Sequence, residues 1–440
     1  MQDFIAGRSE RLAETFSGVL LVAALAFGGG SRGAGDAIVT FAALPVLFLA
    51  CARWSWARQT SLERAATLVV ASAVAWHLLQ LVPLPAAWIG ALPLRPSVLA
   101  DLKAAGAERA WLPATLDAWG TVRSLVGLIV FGALLLLLST LTSSARSRLL
   151  KLAVVAGCAM ALLGYAQAAA GQNSLLRPYE QHHAIGALGT FANRNHFASL
   201  MAMLLPMAFA LAAQSGRIRR VEGLLWYPAA VVLLLGAALS FSRTGFVLAC
   251  ASALIGLLLV PRRRKVSVLG AAFALLAGAG MVSFYASHGL RSRLELDPLE
   301  DLRWQYLHFG WEAAKAYFPW GSGPGSFRYV YAPFEHIAKM GSVFALHAHN
   351  ELIELAVEWG LFGYAFMASV IALLTMVVRN KLIVARERSP ILVGSVVAVV
   401  VPMLHSLVDY PLRTYAVVSV YALAASIVLS RVGRSHGQGA

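Results

Sequence analysis

The sequence predicts an all-α integral membrane protein with about twelve transmembrane helices and a large external loop that carries an amphipathic helix. Composition is the first observation: of 440 residues, 59% are hydrophobic and 13% are charged, and the mean hydropathy is +0.70. Soluble domains carry about 25% charged residues. The formal net charge of +15 does not indicate a nucleic-acid-binding domain, because the basic residues stand in short clusters between apolar runs, as topology determinants do. Residues 1–440 are therefore expected to form a single polytopic membrane domain.

Apolar runs long enough to cross a bilayer, which takes about 20 residues, recur along the whole chain. The predicted spans are 14–30, 37–52, 65–82, 122–140, 149–170, 195–213, 224–241, 244–260, 266–285, 353–378, 391–407 and 415–430. Basic clusters lie at alternate ends of these spans, at 8–11, 53–64, 146–151, 217–220, 262–265, 379–388 and 431–434. The positive-inside rule then places both termini in the cytoplasm.

Two predicted external segments are long enough to have structure of their own. The first long loop, 83–121, is rich in proline and tryptophan and is expected to lie along the membrane interface. The second, 286–352, forms a lid over the bundle in this prediction, and its stretch DLRWQYLHFGWEAAKAYF has apolar residues at spacings of three and four. This spacing predicts an amphipathic helix that lies on the bilayer or caps the bundle; its apolar residues are Trp304, Leu307, Trp311, Ala314 and Phe318.

The glycine-rich stretch GSGPGSF follows that helix. It is not a P-loop, since it lacks Gly-Lys-Ser/Thr and no strand precedes it. We interpret it as a tight turn whose glycines let the backbone approach another segment closely.

Polar residues at the ends of the apolar spans are the candidates for function, because such groups are costly near a membrane unless paired or hydrated. Asn350 is a good helix N-cap, with Glu351 and Glu354 in the first turn. A histidine beside the positive end of a helix is discouraged from protonating, so His349 could act as a general base. The alternative is that His347 and His349 are ordinary interfacial or capping residues. A metal site would need ligands besides these two histidines, and none is clearly placed in the sequence.

Arginines and amides mark three more candidate places at the same side of the membrane. Arg243, in SFSRTGF, lies between two apolar runs, and its planar guanidinium suits phosphate unless it only reaches lipid headgroups. Arg194 and Asn195 open the sixth span and could line a polar cavity or cap the helix. Arg303 lies on the amphipathic helix, with Arg291 and Arg328 nearby in sequence, and surface arginines are usually solvated. Cations for a phosphate and a base for a hydroxyl together indicate glycosyl transfer from a lipid diphosphate donor.

The sequence resembles the O-antigen ligase and polymerase superfamily of bacterial inner-membrane proteins. Members carry His, then Asn, Ser or Gln, nine residues and Gly-x-x-Gly; here His349-Asn350 is followed by nine residues and by Gly360-Leu361-Phe362-Gly363. Three further elements match: SRTG at 242–245, NRN at 193–195 and GSGPGSF at 321–327. The resemblance covers about residues 186–410, and the first external loop does not align.

The resemblance implies a metal-independent, inverting glycosyltransferase, without cofactor, whose active site faces the periplasm of a Gram-negative bacterium. The implied donor is a glycan on undecaprenyl diphosphate, and the acceptor is a sugar hydroxyl of lipid A–core or of a growing glycan. Its partners would include membrane lipids but no nucleic acid. By position, His349 matches the family's essential histidine, and Arg243 and Arg303 match two arginines thought to hold the diphosphate. Arg194, Asn195, His347, Asn350 and Arg328 are further candidates for substrate binding.

Three other functions remain compatible with the sequence. A polymerase of O-antigen or exopolysaccharide would use the same donor chemistry with another acceptor. A protein glycosylase would transfer to serine or threonine. A transporter or lipid flippase would favour ionisable residues near the middle of the membrane, whereas here the polar groups cluster at the external ends of spans.

Overall fold

The computed structural model describes residues 2–30, 33–171, 174–179, 186–215, 220–259, 302–336 and 345–431. The long helices of the first half are α1 (Gln2–Phe27), α2 (Ala34–Arg53), α3 (Ser61–Leu81), α6 (Ala118–Ser139) and α7 (Ser143–Ala170). Between α3 and α6 lie β1 (Pro83–Pro85), α4 (Ala86–Ile89), α5 (Arg95–Ala104) and β2 (Trp111–Pro113). The second half contains α8 (Arg194–Ser215), α9 (Arg220–Leu239), α10 (Arg243–Leu259), α11 (Leu302–Tyr317), α12 (Phe327–Val330), α13 (Glu351–Trp359), α14 (Leu361–Val377), α15 (Pro390–His405) and α16 (Tyr415–Leu429).

Within these ranges, seven helices are long and apolar enough to cross a membrane. They are α2, α3, α6, α7, α8, α9 and α14 with its π-helical continuation to Val384. The shorter apolar helices are α10, α15 and α16. A multi-pass α-helical membrane protein is thus confirmed. The ninth predicted span, 266–285, lies outside the described residues.

Helix α8 is the centre of the bundle. An 18-residue apolar window within Arg194–Gln214 is entirely buried, and α7, α9, α10 and α15 all pack against this helix. Close packing depends on small residues in the surrounding helices: a Cβ at Gly157 of α7 would clash with Leu204, and one at Gly256 of α10 would clash with Phe209. Such small residues let helix backbones approach where no hydrophobic effect drives helices together.

The predicted tenth span, 353–378, is wrong as a single helix. The structure breaks it at Gly360 into α13 and α14. Gly360 has a φ of +58°, and a Cβ there would clash with the carbonyl of Pro319. The apolar run continues through the break, so hydropathy alone does not reveal it; the positive φ requires the glycine. The membrane-crossing part therefore begins at Leu361, and α13 is a separate helix of nine residues.

The amphipathic helix predicted in the second external segment is α11, and it uses two opposite faces. Tyr306, Phe309, Ala313 and Tyr317 are buried, in a cluster that includes Ala356 and Val357 of α13. Of the predicted stripe, Trp304 and Trp311 are about half exposed on the other side of the helix, whereas Ala314 is buried in that cluster. The helix therefore caps α13 with one face and leaves tryptophans outside the protein, where lipid headgroups favour them.

The glycine-rich turn, residues 321–327, fits between the first external loop and α13. On one side, the amides of Ser322 and Gly323 donate to the carbonyls of Val357 (2.8 Å) and Glu358 (2.9 Å). On the other side, Thr121 Oγ1 donates to the carbonyl of Pro324 over 2.7 Å. A Cβ at Gly323, whose φ is +103°, would clash with Thr115. The close backbone approach that the sequence predicted is thus to the first external loop and to α13.

The first external loop is a small unit closed by pairing of β1 with β2. Arg95, only 2% exposed, lies inside it and donates to the carbonyls of Ala114 (2.8 Å) and Gly321 (3.2 Å). A buried guanidinium needs such acceptors, because its charge cannot be hydrated there. Trp88, Trp111 and Trp119 remain exposed on the loop. This segment, which the sequence placed along the interface, therefore also packs against the second external segment.

Candidate functional site

The candidate site lies where α8 begins, α15 ends and α13 begins. The segment after α15 runs beside the start of α13: the amide of Glu351 donates to the carbonyl of Ser406 over 2.9 Å, and Asn350 Nδ2 donates to the carbonyl of Leu407 over 2.8 Å. Asn350 also caps α13, since its side chain accepts from the amides of Leu352 and Ile353. The predicted N-cap is therefore present, and its amide group also ties two distant parts of the chain together.

His349 precedes this cap in a left-handed backbone conformation, with a φ of +50°. Few residues other than glycine adopt that conformation, and such strain is concentrated at functional sites. The imidazole Nδ1 lies 3.4 Å from Asp409 Oδ1, and the side chain is 28% exposed. Its ring stacks on Tyr306 at 5.8 Å and meets Tyr410 at 5.1 Å. His349 is thus held by a carboxylate and two aromatic rings while part of it stays accessible.

Asp409 is the fully buried carboxylate at the centre of the site. Besides His349, its oxygens face Asn195 Nδ2, His196 Nε2 at 3.3 Å and the amide of Tyr410 at 2.9 Å. Burial by itself raises the pKa of a carboxyl, but the hydrogen bonds from His196 and His349 outweigh it and hold the pKa of Asp409 well below its usual range. Asp409 is therefore ionised. It accepts hydrogen bonds from Asn195, His196 and the amide of Tyr410, and His349 Nδ1 lies at ion-pair distance from it.

A second ionic cluster lies on the other side of Tyr410. His347 Nδ1 is 2.7 Å from Glu354 Oε1, and its ring packs on Tyr410 at 4.1 Å. Glu354 also accepts from the amide of Ala348 over 2.9 Å. Arg413 reaches the same carboxylate at 3.0 Å. Two acid–histidine pairs, each with a buried carboxylate, thus fix the chain on both sides of residue 348: Asp409 with His349 and Glu354 with His347.

Arg413 faces three carboxylates on one side of α13. Its distances are 2.9 Å to Glu351, 3.0 Å to Glu354 and 3.4 Å to Glu358. Burial would raise the pKa of Glu354, but Arg413 and His347 lower it to about 2. The pKa of Glu358 is raised to about 7, mainly by burial. The attraction of Arg413 lowers this pKa, and the repulsion of Glu354 raises it further. One guanidinium cannot offset three buried carboxylates, and Glu358 is the one that retains a proton most readily.

The predicted arginines lie at different distances from this centre. Arg303 is three residues before Tyr306 on α11 and so shares a face with the tyrosine that stacks on His349; its charge also acts on His405 at the end of α15. Arg243 is exposed and begins α10. That end of α10 packs on α8, since a Cβ at Gly245 would clash with Ala198. Both arginines therefore belong to elements that border the site.

Arg194 and Arg328 complete the predicted set. Arg194 is half-buried and begins α8, next to Asn195, which contacts Asp409. Arg328 lies elsewhere: its guanidinium packs over Tyr329 at 4.2 Å and is 4.0 Å from Asp117 of the first external loop. The structure thus engages Arg328 in joining the two external segments. Arg291, the other alternative for the diphosphate, lies outside the described residues.

Four residues of the site were not predicted as such from the sequence: Asp409, Arg413, Glu358 and His196. A signal existed for Asp409, because it follows the apolar span 391–407 as a charged residue at its external end. His196 directly follows the NRN element at 193–195, at the same helix start. Among the described residues, no three histidine, cysteine or acidic side chains are arranged to hold a metal ion.

The fold and site define a polytopic membrane protein whose ionisable residues converge at one end of its helical bundle. The family model described as O-antigen ligase matches residues 228–368, which include Arg243, Arg303 and His349. This match, over about a third of the chain, supports the O-antigen ligase superfamily that the resemblance of its motifs predicted. No curated protein matches the chain significantly. Asn195, His196, Asp409 and Arg413 lie outside the matched residues and join the site through the fold.

Proposed function

We propose that this protein transfers a glycan from undecaprenyl diphosphate to a sugar hydroxyl of lipid A–core at the periplasmic face of a Gram-negative inner membrane. The family supports a glycosyltransferase that acts on lipid-linked glycans. The observation that carries the proposal is the contact of His349 Nδ1 with the buried carboxylate of Asp409 at the mouth of the bundle.

His349 is the proposed general base. Since an ionised carboxylate only accepts hydrogen bonds, Asp409 favours the tautomer with the proton on Nδ1. The Nε2 lone pair is then free to take the proton of the attacking hydroxyl. The imidazolium that forms is stabilised by the same carboxylate, as in the histidine–aspartate pairs of hydrolases. Such a base contributes about 10²–10⁴-fold to the rate.

The diphosphate is the proposed leaving group. As the acceptor oxygen bonds to the anomeric carbon, the bond from that carbon to the phosphate oxygen breaks and its electron pair departs with undecaprenyl diphosphate. Attack from the opposite face inverts the anomeric configuration. Arg243 and Arg303 would offset the growing charge, because guanidinium forks pair well with phosphate oxygens and fixed cations are usually the largest catalytic term. With two guanidiniums in this role, the proposed reaction uses no metal or nucleotide.

The proposed orientation rests on charge. The site lies at the start of α8, whereas the basic residues Arg53, Arg146 and Arg148 lie at the other ends of their spans, at the end of α2 and the start of α7. The positive-inside rule assigns those ends to the cytoplasm and the site to the periplasm.

The test must distinguish two acceptors, lipid A–core and a growing glycan. Purified protein is incubated with an undecaprenyl-diphosphate-linked glycan, with lipid A–core in one tube and no acceptor in the other, and with EDTA in both. One glycan moved to lipid A–core establishes a ligase. A ladder of lengths without that acceptor establishes a polymerase, in which a growing glycan is the acceptor. Each tube is also run without EDTA, and transfer that is lost only in EDTA contradicts the metal-independent mechanism.

His349→Ala tests the base in the same assay. We expect it to abolish transfer while the protein remains folded in detergent. His308→Ala is the matched control, because His308 is exposed on α11. Normal product from His349→Ala shows that the base is another group.

A further inference from the structure

His196 contacts the same carboxylate oxygen as the proposed base. Its Nε2 is 3.3 Å from Asp409 Oδ1, and His349 Nδ1 is 3.4 Å from that oxygen. The amide of Tyr410 also donates to it, over 2.9 Å. His196 lies in the first turn of α8 and is 2% exposed. Two hydrogen-bond donors, His196 and the amide of Tyr410, thus meet the ring of His349 at one oxygen.

The proton positions follow from the chemistry of the acceptor. An ionised carboxylate repels a ring nitrogen that carries a lone pair, so each histidine must present an N–H to Asp409. His196 then carries its proton on Nε2. A nearby amide nitrogen, Asn193 Nδ2, is 3.3 Å from the same His196 Nε2, but it cannot donate to a nitrogen that is already protonated.

We propose that His196 is a positioning residue that shares Asp409 with His349 and thereby lowers the proton affinity of His349. This inference rests on the proposed function, in which His349 is the base. A carboxylate stabilises the imidazolium of its partner less when another donor occupies the same oxygen. His349 therefore remains neutral, and able to accept a proton, at a lower pH than it would beside an unshared aspartate.

The surroundings hold both rings in this arrangement. Tyr410 contacts the His196 ring at 4.7 Å and the His349 ring at 5.1 Å, both edge to face. The other titratable or charged groups around them are His405 and Arg303 on one side and the His347–Glu354 pair across Tyr410. None of the variants used below changes these groups.

The first test is the pH profile of kcat/KM for transfer, from pH 5 to pH 9. His196→Leu removes the donor, and we expect the acid limb to move to higher pH by about 0.5–1 unit. His196→Gln keeps an N–H in nearly the same place, and we expect a profile close to that of the natural protein. A residue that only fills space would give the same profile in both variants. An unmoved acid limb in His196→Leu, or an equal shift in His196→Gln, overturns the proposal.

The second test does not depend on activity. Diethyl pyrocarbonate reacts with neutral imidazole, so the pH dependence of His349 modification, read by peptide mass spectrometry, reports when the ring takes up its proton. The midpoint should rise in His196→Leu and stay in place in His196→Gln. His196→Phe serves if leucine prevents folding. If His349→Ala transfers glycan normally, the proposed function fails, while the modification midpoint still decides whether His196 and His349 are coupled through Asp409.

Discussion

Glu358 Oε1 accepts a hydrogen bond from the amide of Phe327 over 3.1 Å, so a buried carboxylate of α13 holds the end of the glycine-rich turn. The other oxygen of Glu358 faces Arg413, which also pairs with Glu354, the partner of His347. A continuous set of contacts therefore joins the first external loop, the glycine-rich turn and the segment that carries His349. Loss of any of these contacts should therefore lower the free energy of unfolding of the whole protein.

Glu358→Gln tests the raised pKa of Glu358. Its pKa of about 7 exceeds the ordinary value of 4.5, so the folded protein binds more protons than the unfolded chain between these values. Stability should therefore fall as pH rises from about 4.5 to 7, by up to about 3 kcal/mol. The glutamine variant should lose that slope, in thermal unfolding followed by tryptophan fluorescence at pH 5 and pH 8. Glu312→Gln, at an exposed ion pair with Lys315, is the control and should keep it.

Arg413→Gln leaves three buried carboxylates without their common cation. Removing one partner of a buried ion pair costs about 3–5 kcal/mol, so we expect the midpoint of thermal unfolding to drop strongly. Adding Glu354→Gln and Glu351→Gln should recover part of the loss, because the repulsion is then reduced. Arg388→Gln, at an exposed position, should change stability little. An equal effect of the two single variants would contradict the role of Arg413.

Gly323→Ala tests the contact between the first external loop and the glycine-rich turn. The φ of +103° disfavours any side chain, and the new Cβ would clash with Thr115. We expect a loss of about 1–3 kcal/mol in unfolding free energy and faster proteolysis of the first loop. Gly127→Ala is the matched control, since nothing lies near its Cβ position within α6. That variant should be neutral or slightly stabilising.

Asp409→Asn tests the orientation of His349. The amide can still accept at one atom, but it presents no negative charge to the imidazolium and can place an N–H against His349. Transfer should fall by about 10²–10⁴-fold in kcat, with little change in the KM for the donor. Asp101→Asn, exposed on α5, should transfer normally. An unchanged kcat in Asp409→Asn would show that Asp409 does not orient His349 for catalysis.

The helices were largely predictable from the sequence, because lipid-facing and buried faces of a membrane helix are both apolar and hydropathy detects them together. The break at Gly360 was not predictable, because the sequence is apolar on both sides of this glycine. The break depends on contact with the carbonyl of Pro319, about forty residues earlier. The amphipathic period of α11 was found, but spacing alone gave its exposed tryptophan stripe and not the tyrosine face that packs on α13.

The candidate site was predictable to the extent that its residues lie next to recognisable helix starts. His349, Asn350 and Asn195 were found in this way. Asp409 and Arg413 lie about 60 residues after His349, and their pairing depends on how α15 packs against α8. A single sequence holds no signal for that packing, although the cost of a charge beside an apolar span does mark such residues as candidates.

The burial of α8 has a consequence for how the protein meets its membrane. Asn195 and His196, which contact Asp409, lie at the start of a helix whose 18-residue apolar window is entirely enclosed by protein. Changes in bilayer thickness or lateral pressure act first on helices that touch lipid, such as α14, which is mostly exposed. The geometry at Asp409 is therefore insulated from those mechanical changes, while the outer helices can tilt with the bilayer.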